Sequence, residues 1–329
     1  MENNNILVIG GAGYIGSHQV KDLLNNNFNV YVLDNLSTGH RKMIDSRASF
    51  IEGDIRDYDL LCKVMKENMI NAVMHFAAFS IVPQSVEQPL KYFNNNVYGF
   101  EVLLEAMEEC SVDKLIFSST AATYGEHKQM PIDENYSTNP TNPYGESKLI
   151  MEKMVKWQAN ASNLKYVVLR YFNVAGAAFD SSVGELHDPE THLIPIVLEC
   201  ALHKREFVSI FGNDYDTEDG TCIRDYIHVV DLCDAHTKSL DYLMQGNKSD
   251  TFNLGYGHGF SVKQIIESTQ RVTKKDIPIR YDERRAGDPA ILIASSLKAQ
   301  KALNWSPKYN NIDIIIETAY KFYRKNIEK

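Results

Sequence analysis

The chain carries a tyrosine and a lysine four residues apart, Tyr144 and Lys148, in the run NPYGESKLIMEK, and a threonine, Thr120, in SSTAATYG at the end of an apolar run. Residues i and i+4 share a helix face, so phenol and ammonium stand side by side if the run is helical. Alone, such a pair is more often a solvated face capping some core than a site. Beside a bound dinucleotide, the hydroxyl, the phenol and the ammonium together can take a proton from an alcohol while a hydride leaves its carbon. A free phenol titrates near 10, so acting as a base near neutrality requires a lowering of about 3 units, or about 4 kcal/mol. Cations supply that: an ammonium at Lys148 and the positive charge of an oxidised nicotinamide both favour phenolate. Thr120 then hydrogen-bonds the reacting oxygen and can pass a proton between it and Tyr144.

A dinucleotide is what the N-terminal run announces. VIGGAGYIGS sets Gly10, Gly13 and Gly16 directly after a short apolar strand and at the opening of a helix. Glycines there allow the tight turn and the close approach of backbone to a pyrophosphate, which the helix N-terminus attracts. Asp34 ends the next apolar run, about 20 residues further on, where a carboxylate accepts from both ribose hydroxyls and repels a 2′-phosphate. Asn35 and Leu36 beside it bring no cation, so NAD is favoured over NADP. Asp54 and Ile55, after the third run, either face the adenine edge or form a plain strand-end turn.

The elements that must position these groups are legible as a rhythm. From residue 5 to about 173, the runs NILVIG, NVYVLD, SFIEGD, AVMHFA, KLIFSS and YVVLRYF alternate with stretches long enough for crossover helices. That alternation predicts an α/β fold, a Rossmann-type doubly wound parallel sheet whose strand ends aim Thr120 into a ligand crevice. Past Asn173 the rhythm breaks into turn-rich loops such as FGNDYDTEDGT, short strands (YIHV, TFNLG, IPIRY) and helices near 230–244, 261–272 and 312–326. The expected organisation is an NAD-binding domain over 1–173 and a smaller mixed α/β substrate domain over 174–329, partly interleaved with the first around a cleft.

Bulk properties exclude several classes. With 329 residues, 44% hydrophobic, the chain buries a sizeable core. A net charge of −9 argues against nucleic acid or an anionic membrane as partner. The opening MENNNILVIGGAG has no basic and apolar leader pattern, and no run of about 18 apolar residues occurs. Cys62, Cys110, Cys200, Cys222 and Cys233 are odd in number and scattered without metal-ligand spacing. The expectation is a cytoplasmic protein with neither disulfides nor a metal.

The runs GGAGYIGS, DNLSTG, EGDIRD, HFAA, NNNVYG, SSTAATYG, NPYGESK, LRYFNVAGA, FGNDYDTEDGTCIRDYIHVVDL and RRAGDPA carry a resemblance over essentially the whole chain. The sequence resembles the extended short-chain dehydrogenase/reductases, and within them the family of UDP-glucose 4-epimerases. The resemblance implies a redox-neutral reaction with tightly held NAD. Hydride leaves C4 of the sugar while Tyr144 takes the C4 hydroxyl proton. The 4-keto sugar then swings about its diphosphate tether and receives hydride on its other face, interconverting UDP-galactose and UDP-glucose.

By the same resemblance Tyr14, Ile15, Asp34, Asn35, Leu36, Ser37, Thr38, Gly39, Asp54, Ile55, Phe76, Ala77, Ala78, Ser80 and Asn95 surround NAD, with Phe172 by the nicotinamide. Asn173 falls near the substrate diphosphate, Arg224 and Arg285 on phosphate-binding positions, and Asp288 where it accepts from a hydroxyl. Leu193 falls near the nucleotide, and Ser209, Ile210 and Phe211 border the uracil. Three positions depart from the pattern. Ser80 stands where some members carry a lysine, and His192 where an asparagine is often found in the substrate loop. Leu292 occupies the place of a tyrosine that closes the sugar pocket, which leaves room for an acetamido group and points to UDP-GlcNAc and UDP-GalNAc as further substrates.

Members of this family pair through two helices, here the segments near 89–109 and 143–160, so a homodimer is expected. Leu149, Ile150, Met154, Val155 and Trp157 supply the apolar positions of the second. The alternatives are a related nucleotide-sugar dehydratase, an ordinary dehydrogenase exchanging free NAD, and a dinucleotide sensor with a dead site. Dehydration needs an acid and a base after the threonine, and Ala121 and Ala122 stand there. A dead site is not expected with both Tyr144 and Lys148 present.

Overall fold

A computed structural model of the chain describes residues 4–285 and 288–327. The first half alternates strands with helices: β1 (Asn5–Ile9), α1 (Tyr14–Asn25), β2 (Asn29–Asp34), β3 (Ser49–Glu52), α2 (Tyr58–Glu67), β4 (Ala72–His75), α3 (Val82–Glu87), α4 (Pro89–Tyr92), α5 (Gly99–Glu109), β5 (Lys114–Thr120), α6 (Pro143–Ala161) and β6 (Lys165–Tyr171). The second half runs β7 (Asn173–Ala175), α7 (Leu193–Ala201), β8 (Val208–Phe211), β9 (Ile223–Arg224), β10 (Tyr226–His228), α8 (Val229–Met244), β11 (Asp250–Leu254), β12 (Phe260–Ser261), α9 (Val262–Thr273), β13 (Ile279–Asp282), β14 (Ile291–Leu292), α10 (Leu297–Ala302) and α11 (Ile312–Ile327).

Seven parallel strands form the central sheet in the order β11-β6-β5-β4-β1-β2-β3. Strand periodicity sends alternate side chains to opposite faces. Leu7 and Ile9 join Val73, Leu115 and Phe117 under α2, α5 and α6, whereas Ile6 and Val8 join Val32, Met74 and Ile116 under α1 and α8. Covering both faces makes the strands continuously apolar, which is why β1 and β4 are buried at every residue.

The run TFNL supplies the seventh strand: β11 pairs with β6 from Asp250↔Val167 to Leu254↔Tyr171. No periodicity distinguishes an edge strand of this sheet from the short strands around it, and only the long-range pairing does. The remaining short strands form a three-stranded sheet, β12-β9-β14, and two pairs, β10-β7 and β13-β8. They pack with α7, α9 and α11 around Ile194, Leu198, Ile265, Ile315 and Phe322. No described helix is long and apolar enough to cross a membrane.

Candidate active site

A pocket opens at the carboxyl ends of β1 and β4, neighbours in space although β2 and β3 intervene in sequence. Strand order reverses there, and the diverging crossovers leave a crevice. Its lining comes from both sides of position 173.

The glycine turn forms one wall. Gly10 has φ +85°, and a Cβ there would come within 2.5 Å of the Ala77 backbone nitrogen. A Cβ on Gly16 would lie 2.1 Å from the Gly10 carbonyl oxygen, so these two glycines let helix and strand approach each other. Gly13 differs, since its Cβ would meet only that same oxygen at 3.5 Å. It sits at the N-cap of α1 with no side chain to cap the first-turn N–H groups. An open, uncapped helix start on a pocket wall fits a dinucleotide pyrophosphate.

Asp34 closes the second requirement. Its Oδ2 accepts from the Ala12 N–H at 2.9 Å and its Oδ1 from the Leu36 N–H at 2.8 Å. Burial pushes its pKa up, and those two hydrogen bonds pull against that shift. They also fix the carboxylate in the pocket lining with lone pairs left for a ribose. Leu36, at φ +55°, bends the chain through its backbone, and its side chain is not part of the lining.

The candidate reacting groups stand on the opposite wall. Thr120 ends β5, and its Oγ1 accepts from the Ala122 N–H at 3.2 Å. Helix α6 then starts sharply: the Asn142 side chain accepts from the Gly145 N–H at 2.9 Å, and Pro143 fills a first-turn position where no N–H is required. That start sets Tyr144 and Lys148 on one face, both in the pocket lining with Thr120. Lys148 Nζ donates to the Ser118 carbonyl at 2.9 Å and lies 5.0 Å from the Phe117 ring centroid.

Electrostatics here runs against the simplest expectation. Burial pushes the Tyr144 phenol up to about 12, with a hydrogen bond to Thr120 opposing. Burial pulls Lys148 down to about 7, with the Glu152 carboxylate opposing. The protein by itself therefore holds Tyr144 protonated, and a positive charge beside the ring would oppose that shift. Glu152, one turn beyond Lys148, accepts from Arg170 Nε at 3.0 Å and Nη2 at 2.5 Å, and from the Ser119 hydroxyl. This buried clamp ties α6 to β5 and β6. Its one sequence signal is the i+4 step from Lys148.

Most of the expected cofactor residues meet in the lining: Gly10, Gly13, Tyr14, Ile15, Gly16, Asp34, Asn35, Ser37, Thr38, Gly39, Ile55, Phe76, Ala77, Ala78, Ser80, Asn95 and Phe172. Asn95 gets there through a π-helical turn over Phe93–Tyr98, while its neighbour Asn96 fastens the Phe79 backbone and the Ser147 hydroxyl. Asp54 lies outside the lining. Its carboxylate pairs with Arg56 at 2.7 Å and accepts from Asn35 at 3.0 Å, and the arginine holds its pKa well below the ordinary range.

Of the expected substrate residues, Asn173, His192 and Leu193 line this pocket. The others gather on the small sheets beside it. Asn173 N–H donates to the Asp225 carbonyl, between β9, which ends at Arg224, and β10, which pairs with β7. Arg224 pairs with Asp288 at 2.7 Å, and the Arg285 guanidinium lies 4.0 Å over the Phe211 ring. Strand alternation in β8 exposes the flanks of Ser209 and Phe211 but buries Ile210, leaving only its backbone for a base. Leu292 sits in β14 opposite Arg224.

Residues outside the sequence expectation also line the pocket, among them Tyr171, Glu185, His187, Pro195 and Tyr226. Glu185 and His187 belong to a pattern, ExHxxExH over 185–192, that ligand spacing could have flagged had carboxylates been counted with the imidazoles.

The chain's likeness to known proteins agrees with this geometry. The model of a family described as the NAD dependent epimerase/dehydratase family matches residues 6–255. The UDP-glucose 4-epimerase of Lacticaseibacillus casei is 56% identical over 323 residues, 98% of each chain. The structure of the Brucella ovis UDP-glucose 4-epimerase in complex with NAD superposes with a TM-score of 0.95 at 45% identity, covering 97% of this chain and 98% of that one. The UDP-Glc/GlcNAc 4-epimerase of Campylobacter jejuni superposes with a TM-score of 0.87 at 42% identity, covering 98% and 99%.

Proposed function

The chain belongs to the NAD dependent epimerase/dehydratase family, and from that premise we propose that it is an isomerase acting at C4 of a UDP-sugar, interconverting UDP-galactose and UDP-glucose. The observation that carries this reading is the meeting of Thr120, Tyr144 and Lys148 with the glycine turn in one pocket, next to Ala121 and Ala122, which offer no acid or base for elimination.

Bound NAD supplies the hydride acceptor and donor at C4, and its positive charge favours phenolate. The rest falls to the chain. Tyr144 takes the C4 hydroxyl proton and returns it after the 4-keto sugar has turned over. Thr120 holds the reacting oxygen, and Lys148 holds positive charge near the phenol when protonated. Arg224, Arg285 and Asn173 grip the diphosphate, so the sugar pivots while its anchor stays fixed. Residues 1–173 serve chiefly the cofactor and 174–329 the nucleotide sugar.

Given UDP-galactose and no added NAD, the purified protein is expected to form UDP-glucose without net NADH release. Conversion of UDP-GlcNAc in the same assay is expected too, because leucine at 292 is smaller than tyrosine and a relative at 42% identity is a UDP-Glc/GlcNAc 4-epimerase. No product even with NAD added would sink the sugar assignment; UDP-glucose turnover with inert UDP-GlcNAc would sink the broader specificity alone.

A homodimer formed through the segments near 89–109 (α4 and α5) and 143–160 (α6) completes the reading. These helices leave Leu90 79% and Trp157 73% exposed, side chains that a monomer gains nothing by presenting to water. Wild-type protein is expected to sediment as a dimer, and the Leu90→Glu/Trp157→Glu double variant as a monomer. Wild type remaining at the mass of one chain at high micromolar concentration refutes it. Five free thiols fit a cytoplasmic setting, which recovery from an extracellular fraction would overturn.

A further inference from the structure

The loop leading into α7 gathers Glu185, His187 and Glu190, to which the proposed reaction gives no role, around His192 of the substrate loop. One potential ligand atom from each lies within 4.8 Å of all the others. We propose that these four residues bind one divalent transition-metal cation of the zinc class, fastening the substrate loop to the start of α7.

Geometry supports a four-coordinate ion. Bonds of about 2.0–2.1 Å to nitrogen and oxygen give tetrahedral edges of about 3.3 Å. His187 Nδ1 lies 3.2 Å from Glu185 Oε1 and 3.8 Å from Glu190 Oε2, while His192 Nδ1 lies 3.7 Å from the other Glu190 oxygen, Oε1, so a turn of that carboxylate is needed to bring one oxygen to both imidazoles. One edge is short: His192 Nδ1 and Glu185 Oε1 share a hydrogen bond at 2.5 Å, which an entering cation replaces by moving the two atoms apart by roughly 0.8 Å.

A second observation is independent of spacing. His187 Nδ1 is buried and makes no well-directed hydrogen bond among the described residues, although two carboxylates flank it. A buried ring nitrogen within 3.8 Å of two carboxylates and without a satisfied hydrogen bond is placed as a ligand to a shared centre would be. Charge is compatible with the ion. The side chains of Glu185 and Glu190 are 5% and 3% exposed, and Glu185 stands on the pocket wall. Two protonated imidazoles balance the two carboxylates without an ion, and a dication balances them when both imidazoles are neutral.

Two nitrogens and two carboxylate oxygens in a compact set suit zinc and its first-row neighbours rather than calcium or magnesium. With all four positions filled by protein the site is structural. Outer contacts already hold its ligands: the Tyr323 hydroxyl donates to Glu190 at 3.2 Å, and His40 Nε2 lies 3.0 Å from the Leu186 carbonyl. Loading releases any imidazole protons to solvent.

The test uses the purified protein with its cofactor bound, treated with chelator, desalted and titrated with Zn2+ or with Co2+ as a spectroscopic probe. One equivalent of zinc per chain is expected, with a four-coordinate Co2+ visible spectrum that zinc abolishes. His187→Gln is expected to weaken binding at least about tenfold. His192→Asn, at a ring 53% exposed, is expected to do the same and keeps the test decisive if the first variant fails to fold. No stoichiometric binding to the wild type, or binding unchanged by the substitutions, overturns the proposal and leaves protonated imidazoles as what neutralises the two carboxylates. Metal content is read apart from turnover, so this outcome is independent of the sugar assignment.

Discussion

Tyr144→Phe is expected to lower turnover of UDP-galactose by about 10³-fold, within the range for loss of a positioned acid–base group. Phenylalanine keeps the ring that fills the pocket wall and deletes only the oxygen. The deleted group matters in the transition state far more than in the ground state, so the loss belongs in kcat, with KM changed little. Cofactor retention offers the control. The glycine turn and Asp34 stand on the opposite wall, and the NAD extracted per chain is expected to equal that of the wild type. Because burial holds the phenol near 12, the reaction depends on charge supplied around it, and no neighbouring tyrosine substitutes easily. Tyr171, also in the lining, is pushed higher, its burial raising it beyond the ordinary range. Turnover within tenfold of wild type would remove Tyr144 from the proton-transfer role.

The second large effect is expected at Gly16. A methyl group there lands 2.1 Å from the Gly10 carbonyl oxygen and 2.9 Å from the Gly11 Cα. Both are backbone atoms, so no side-chain rotation relieves the clash and helix α1 must move off β1. Overpacking of this kind costs about 1–3 kcal/mol, and occasionally more. Gly16→Ala is therefore expected to purify without NAD and to melt below the wild type. Gly13→Ala makes the contrast, because its methyl meets only an ordinary 3.5 Å contact within the protein. Its melting temperature without cofactor is expected to match the wild type while NAD binding weakens, as the methyl fills the cradle. Unchanged stability and full NAD content in Gly16→Ala would show that the turn has slack the geometry does not reveal.

These two cases mark how far sequence reading carries. The glycine turn, Asp34, and the Tyr144–Lys148 pair are local patterns, each defined by spacing along one strand, turn or helix. Their elements followed from the same local periodicity, including six of the seven sheet strands. Other members of the site have no such signature. Glu152 looks like one more surface glutamate in MEKMVKW until Arg170 and Ser119 close on it. Asp54 reads as a possible adenine contact; its pairing with Arg56, two residues on, is local to one turn, whereas its contact with Asn35, 19 residues away, is visible only once the chain has folded back. Arg224 and Asp288 are 64 residues apart and meet across two short strands.

By itself the sequence determined the parallel α/β architecture, the dinucleotide turn and the shared helix face of Tyr144 and Lys148, because period-two strands, helical spacing and glycine turns are set by residues close along the chain. Only the tertiary structure decided that TFNL completes the main sheet, that burial leaves Tyr144 protonated without a cofactor's charge, and that two glutamates and two histidines converge beside the pocket. Each of those depends on desolvation or on contacts between elements, and neither is written in the spacing of residues along one element.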